Sequence, residues 1–137
     1  MSREILFRGK RIDNGEWVEG YYTLYPYGKA EISKRCDNAP DGDPMWKKVL
    51  ITYKVAPETV CQYTGLTDKN GRKIWENDRC RVERTCVLAY GVIKYLEGCF
   101  CFLEDGTGNI LRLCDVRTNG YDIKIDGNIF DNPELIS

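Results

Sequence analysis

The stretch that decides the fold runs from Arg79 to Leu113 and reads RCRVERTCVLAYGVIKYLEGCFCFLEDGTGNILRL. Short runs of apolar, β-branched and aromatic residues alternate here with turn residues such as Glu97-Gly98 and Asp105-Gly106. Turn signals this frequent, without a long 3.6-residue periodicity, indicate a small barrel or rolled sheet. The predicted strands of this stretch are Arg79–Glu83, Val87–Leu96, Cys99–Leu103 and Ile110–Leu113.

Strand signals continue beyond this stretch toward the C-terminus. Asn119-Gly120 predicts a turn, and Tyr121–Ile125 predicts a further strand. The closing Asn132–Leu135 predicts a single helical turn, with Asn as its cap and Pro at its first position. The fold class is therefore mainly β, with one or two short helices at most.

The N-terminal part begins with a hairpin signal. Ile5–Phe7 and Trp17–Leu24 flank Asp13-Asn14-Gly15, and Asn-Gly supplies the positive φ angles of tight hairpin turns. Ala30–Arg35 and Met45–Val55 predict two further strands.

The chain of 137 residues has the length of one compact domain, 1–137. A soft boundary at residues 56–60 is predicted, because Pro57 breaks the strand ladder there. It separates an N-terminal β part, 1–56, from a barrel-like part, 57–137.

Charge and hydropathy indicate the cellular location of the protein and the classes of partner that it can bind. Twenty basic and 21 acidic residues give a net charge of −1, which lacks the general basic footprint of nucleic-acid binding. No apolar run approaches the ~20 residues of a membrane span. Met1–Ile5 lacks the apolar stretch of a signal peptide, so we expect a cytoplasmic protein without membrane contact.

The seven cysteines do not predict a disulfide or metal framework. Their number is odd, no CxxC spacing occurs, and the close pair Cys99 and Cys101 projects from one face of a strand. We expect reduced thiols, no metal and no cofactor. The acidic stretch Asp37–Pro44 is predicted to be a solvated loop, because its carboxylates match no calcium-ligand spacing.

Catalysis has little support in the residue types. The chain has no His, so the commonest general base near neutral pH is missing. A carboxylate- or metal-dependent hydrolase using Asp68, Glu76 and Asp78 is the enzymatic alternative. The sequence around Asp68–Gly71 does not match the ligand spacing of a calcium-binding loop. Asp68–Gly71 is instead predicted to be a turn in which Gly71 takes positive φ.

Candidate binding residues cluster in the second predicted strand and the turn after it. The candidates are aromatic residues. A single half-buried strand turns only alternate side chains inward, so some of their rings should face outward. Outward aromatic rings have the composition of an interface core. The basic string Arg8–Arg11 precedes these aromatic residues in the sequence. The combination allows an alternative in which the protein binds nucleic acid through base stacking. The candidates are Trp17, Tyr21, Tyr22, Tyr25 and Tyr27.

Three segments of the chain carry a further signal: FRGKRIDNGEWVEGYY at 7–22, PETVCQYTGLTDKNGRKIWENDRCRV at 57–82 and GNIFDNPEL at 127–135. Together they resemble the YopX family of phage and prophage proteins. The resemblance implies a phage or prophage gene, a bacterial cytoplasmic product, an SH3-type barrel in the C-terminal part and a homo-oligomer. It implies no reaction and no catalytic residues.

The sequence therefore predicts a phage-type accessory protein that binds a host or phage protein without catalysis. A nucleic-acid-binding small barrel and a carboxylate-dependent hydrolase are the alternatives.

Overall fold

The protein is described by a computed structural model, which covers residues 4–35 and 50–133. The chain divides by its contacts into two compact units, of which the first ends at Gln62 and the second begins at Tyr63. The loop predicted at 37–44 lies outside the described residues, as do Glu134 and Leu135 of the predicted helical turn.

The strands of the first unit are β1 Phe7–Lys10, β2 Trp17–Leu24, β3 Ala30–Arg35, β4 Leu50–Val55 and β5 Cys61–Thr67, which continues into the second unit. They form an antiparallel sheet in the order β4-β3-β2-β1-β5. A 3₁₀ helix, Pro57–Thr59, lies between β4 and β5 in the sequence.

The core of the first unit lies on one face of this sheet. Val18 is opposite Gly9, Ile32 is opposite Tyr22 and Ala30 is opposite Val55, and directly opposed residues point to the same side. Val18, Ala30, Ile32 and Val55 are all buried there, with Phe7 and Tyr22 packed against them.

The strands of the second unit are β6 Lys73–Trp75, β7 Asp78–Arg84, β8 Val87–Leu96, β9 Cys99–Glu104, β10 Ile110–Arg112 and β11 Asp122–Asn128. β6 pairs with the end of β5, and the other five strands form an antiparallel sheet in the order β10-β9-β8-β7-β11. The only described α-helix of this unit, α1, spans Leu113–Thr118 and follows β10 directly.

The core of the second unit joins one face of the sheet to α1. Val82, Ile93 and Phe102 come from successive strands, and Leu113 and Val116 of α1 pack into the same buried cluster. Because these helical side chains are almost fully buried, the helix closes the core on the side away from the sheet.

The mainly β prediction is confirmed, but the SH3-type barrel is not. Among residues 50–133, β10 and β11 are the two edges of the sheet and do not pair with each other, so the sheet is open. The reason lies at Leu113, where a strand was predicted to end. The chain turns there into α1, and apolar side chains cover the core instead of a closing strand.

Gly71 adopts the positive φ that the sequence predicts, at +80°. The turn is closed by the Gly71 amide, which donates to the Asp68 carbonyl at 3.0 Å, and a Cβ on Gly71 would meet no atom within 4 Å. Strain is therefore the only cost of a side chain at this position.

We expect Gly71→Val to lower the free energy of unfolding by about 1–2 kcal/mol, the usual size of left-handed strain. Urea denaturation of Gly71→Val and the wild type measures this difference. Lys124→Val is the control, because Lys124 is exposed on a strand. Equal stability of Gly71→Val and the wild type would contradict the assigned turn.

Candidate protein-binding surface

The aromatic side chains of β2 divide between the two faces of the first sheet. Tyr22 lies on the core face, where its ring packs against Phe7 with centroids 5.4 Å apart. Trp17 and Tyr21 lie on the opposite face, because successive strand residues alternate. Tyr21 is 63% exposed, whereas Tyr22 contributes to the core.

Trp17 is covered by two cations of the neighbouring strand. The Arg8 guanidinium lies 4.4 Å from its ring centroid, and the Lys10 ammonium lies 5.4 Å from it. Both distances are within the range of cation–π attraction. This face of the indole is therefore engaged within the protein.

Tyr25 and Tyr27 lie in the turn between β2 and β3. The Tyr25 amide donates to the Lys29 carbonyl at 2.7 Å, and the Gly28 amide donates to the Tyr25 carbonyl at 3.1 Å. These bonds close the turn. Tyr25 is 44% exposed and Tyr27 is 92% exposed.

Tyr25 borders a groove of about 450 Å³ in the first unit, which we call the Tyr25 groove. Its volume is within the usual range for a ligand-sized cleft. Ile12, Tyr25 and Pro57 contribute apolar walls, and the buried residues Ala30 and Val55 also line it. The groove can accept an apolar side chain of a partner.

Charged residues of both signs line the same groove. They are Lys29, Glu31 and Lys54. A hydrogen bond to Glu31 raises the pKa of Tyr25 above its ordinary value. This bond also orients the phenol ring at the groove.

The basic string Arg8–Arg11 does not present a free cationic stripe. Arg11 forms an ion pair with Asp13 at 2.6 Å, and its guanidinium lies 4.4 Å from the Tyr53 ring centroid. Together with the cations over Trp17, these contacts occupy the groups that base stacking and phosphate contacts would need. The arrangement does not favour the nucleic-acid alternative.

Two of the three carboxylates of the hydrolase alternative accept structural hydrogen bonds from backbone amides. Asp68 is buried and accepts three backbone amides, from Asn70 and Arg72 at 2.9 Å and from Ile125 at 3.2 Å. Asp78 is buried and accepts the Trp75 amide at 2.8 Å. Glu76 lies between β6 and β7, half-buried.

Two of the buried thiols, Cys80 and Cys101, are not activated as nucleophiles. Burial, with the negative charges of Asp78 and Asp68, raises the pKa of Cys80. Burial and the adjacent Cys99 thiol raise the pKa of Cys101 to about 11. Both thiols are therefore protonated at neutral pH. In residues 4–35 and 50–133, no group of three or more His, Cys, Asp or Glu side chains is placed to hold a metal ion.

Ile12 and Pro57 are groove residues that sequence reasoning did not identify. The segment that contains Ile12 and the end of β4, which leads to Pro57, are held together by two contacts. Arg11 and Val55 form an isolated bridge, and the Ile12 amide donates to the Lys54 carbonyl at 3.0 Å. The signal in the sequence was an isoleucine directly before the Asp13–Gly15 turn, where an apolar side chain is unusual.

The fold and the groove define an antiparallel β protein whose first unit presents an aromatic and apolar groove. The family model described as YopX protein matches residues 6–137. Because the match covers nearly the whole chain, the protein belongs to the YopX family. A comparison with curated proteins found no match. None of the described helices has the length and apolar character needed to cross a membrane.

Proposed function

We propose that this protein is a phage- or prophage-encoded accessory protein that acts in the bacterial cytoplasm by binding a host or phage protein, without catalysis. Membership of the YopX family supports the phage-type origin. The observation that carries the binding role is the Tyr25 groove, with Tyr27 almost fully exposed in the same turn.

The lining of the groove favours a protein as its occupant. Its walls are apolar, and its charged residues include the acidic Glu31 as well as Lys29 and Lys54. Aromatic anchors beside charges of both signs are typical of protein interfaces, whereas a phosphate-binding surface is strongly basic. We infer that an apolar side chain of the partner enters between Tyr25 and Pro57.

The first test is a comparative pull-down from lysate of the bacterium that carries the gene, with captured proteins quantified by mass spectrometry. We expect at least one protein that the wild type retains to be lost when Tyr25→Ser and Tyr27→Ser are combined. The matched control is Tyr90→Ser, because Tyr90 is a tyrosine of the second unit with a similar exposure, 40%.

Native mass is measured for the same variants, because a second copy of the chain would also use an exposed aromatic surface. Loss of the captured protein with unchanged native mass supports a different protein as the partner. If the double variant and Tyr90→Ser retain the same proteins as the wild type at the same mass, the Tyr25 groove is not the binding surface.

A further inference from the structure

Among the described lining residues of the Tyr25 groove, the two charged groups that are exposed to solvent are both positive. Lys29 and Lys54 are exposed, whereas the acidic lining residue, Glu31, is half-buried. The Glu31 carboxylate also accepts a hydrogen bond from the hydroxyl of Tyr25. In residues 4–35 and 50–133, neither lysine takes part in an ion pair. A segment that enters the groove therefore meets an excess of positive charge.

The two lysines belong to different segments of the groove. The Lys29 carbonyl accepts the Tyr25 amide at 2.7 Å, which places Lys29 beside Tyr25 in the turn between β2 and β3. The Lys54 carbonyl accepts the Ile12 amide at 3.0 Å, which places Lys54 beside Ile12 at the end of β4. Each lysine is thus next to one of the apolar side chains that line the groove.

An apolar residue and an acidic residue in one partner segment match both features of the groove. Ile12 is 67% exposed and Tyr25 is 44% exposed, so an apolar side chain that enters the groove removes their surface from water. A carboxylate beside that side chain is attracted by the ammonium groups of Lys29 and Lys54, whereas a basic group there is repelled. Charge complementarity of this kind contributes more to the choice of partner than to affinity.

We propose that the partner segment that binds in the Tyr25 groove combines an apolar residue with an adjacent acidic residue, and that Lys29 and Lys54 recognise the acidic residue. This inference rests on the proposed function, because it takes a protein as the occupant of the groove. The apolar contact and the charge contact use different residues of this chain, so substitutions separate them.

The test uses random linear peptides displayed on yeast and selected with the full-length protein. Peptides that the wild type retains and Tyr25→Ser does not retain are synthesised, and their affinities are measured by fluorescence anisotropy. We expect these peptides to share an apolar residue with Asp or Glu directly beside it. Replacing that Asp or Glu by its amide should weaken binding severalfold, because an attraction between exposed charges is lost.

The double variant Lys29→Glu with Lys54→Glu should weaken binding of the same peptides by about 10-fold, because two attractions become repulsions. The matched control is Lys34→Glu with Lys124→Glu, which changes the net charge equally at two exposed positions outside the groove lining. This control should retain the wild-type affinity. Circular dichroism checks the fold of each variant.

The two sets of substitutions distinguish this inference from the proposed function. If no peptide depends on Tyr25, both are wrong. If peptides depend on Tyr25 but lack an acidic residue, or bind the double lysine variant as tightly as the wild type, this inference is wrong and the proposed function stands. Equal weakening in the Lys34→Glu, Lys124→Glu control would also overturn the inference, since net charge alone would then explain the effect.

Discussion

Asp68→Ala is expected to lower the free energy of unfolding of the second unit by about 3–5 kcal/mol. The Asp68 carboxylate is buried and accepts amides of Asn70 and Arg72 in its own turn and of Ile125 in β11. Without it, the Ile125 amide loses its acceptor inside the protein, while the two turn amides are closer to solvent. Loss of hydrogen bonds to a charged group, plus an unsatisfied buried donor, sets this magnitude.

The effect should depend on pH in a defined direction. Burial alone would raise the pKa of Asp68, but the hydrogen bonds from Arg72, Ile125 and Asn70 lower it below its ordinary value. A carboxyl group whose pKa is lowered by folding stabilises the protein fully above its unfolded pKa, about 3.9. That stabilisation is lost as the pH falls through the lower pKa of the folded state.

Urea denaturation at pH 7 and at several values below pH 4 measures both effects. The difference between the wild type and Asp68→Ala should be largest at pH 7 and should shrink in acid. Asp122→Ala is the control, because Asp122 is exposed on β11, and it should change stability by less than about 0.5 kcal/mol. A small difference at pH 7, or one that grows in acid, would contradict the assigned role of Asp68.

Gly91→Ala is expected to lower the free energy of unfolding by about 3 kcal/mol, or to prevent folding of the second sheet. A Cβ at Gly91 would lie 2.3 Å from the Leu103 carbonyl oxygen and 2.8 Å from Cζ of Phe102. The first neighbour is backbone of β9 and the second belongs to a fully buried ring, so neither moves away easily. Gly91 thus allows Phe102 to lie against β8.

The matched control for Gly91→Ala is the same substitution at Gly15. Gly15 has positive φ, +73°, but a Cβ there would meet no atom within 4 Å. Gly15→Ala should therefore cost only about 1–2 kcal/mol of left-handed strain. Thermal and urea denaturation rank the two variants. A Gly91→Ala variant as stable as Gly15→Ala would contradict the expected steric clash between β8 and β9.

Most strands could be predicted because the sequence carries local signals for them. The strand predicted at Val87–Leu96 has the observed bounds, and the strand predicted at Cys99–Leu103 extends by one residue to Glu104. The turn between these two strands contains Gly98 and the turn after β9 contains Gly106, and the conformational freedom of Gly is a property of the residue itself. Local chemistry therefore determined these bounds.

The helix at Leu113–Thr118 could not be predicted from the same signals. It has six residues, too few to show a 3.6-residue periodicity, and Arg112 at its start makes no side-chain cap. Its formation depends on burial of Leu113 and Val116 in the core, which is a tertiary effect. Without knowledge of that core, Leu113 appeared to extend the preceding strand.

Only part of the candidate site could be predicted from the sequence. The concentration of aromatic residues predicted a surface near Tyr25, and strand alternation separates Tyr21 from Tyr22. Alternation says nothing about the cations over Trp17. The groove itself depends on the pairing of distant segments, which brings Pro57 near Ile12 and has no local signature.

The most direct test of the binding role is site-specific photo-crosslinking in the bacterium that carries the gene. Benzoylphenylalanine replaces Tyr25 in one variant and Tyr90 in another, both of which are partly exposed tyrosines. After irradiation, adducts are identified by mass spectrometry. We predict that position 25 forms a covalent adduct with one protein other than a second copy of this chain, and that position 90 does not. No adduct at position 25, or the same adducts at both positions, would contradict the Tyr25 groove as a protein-binding surface.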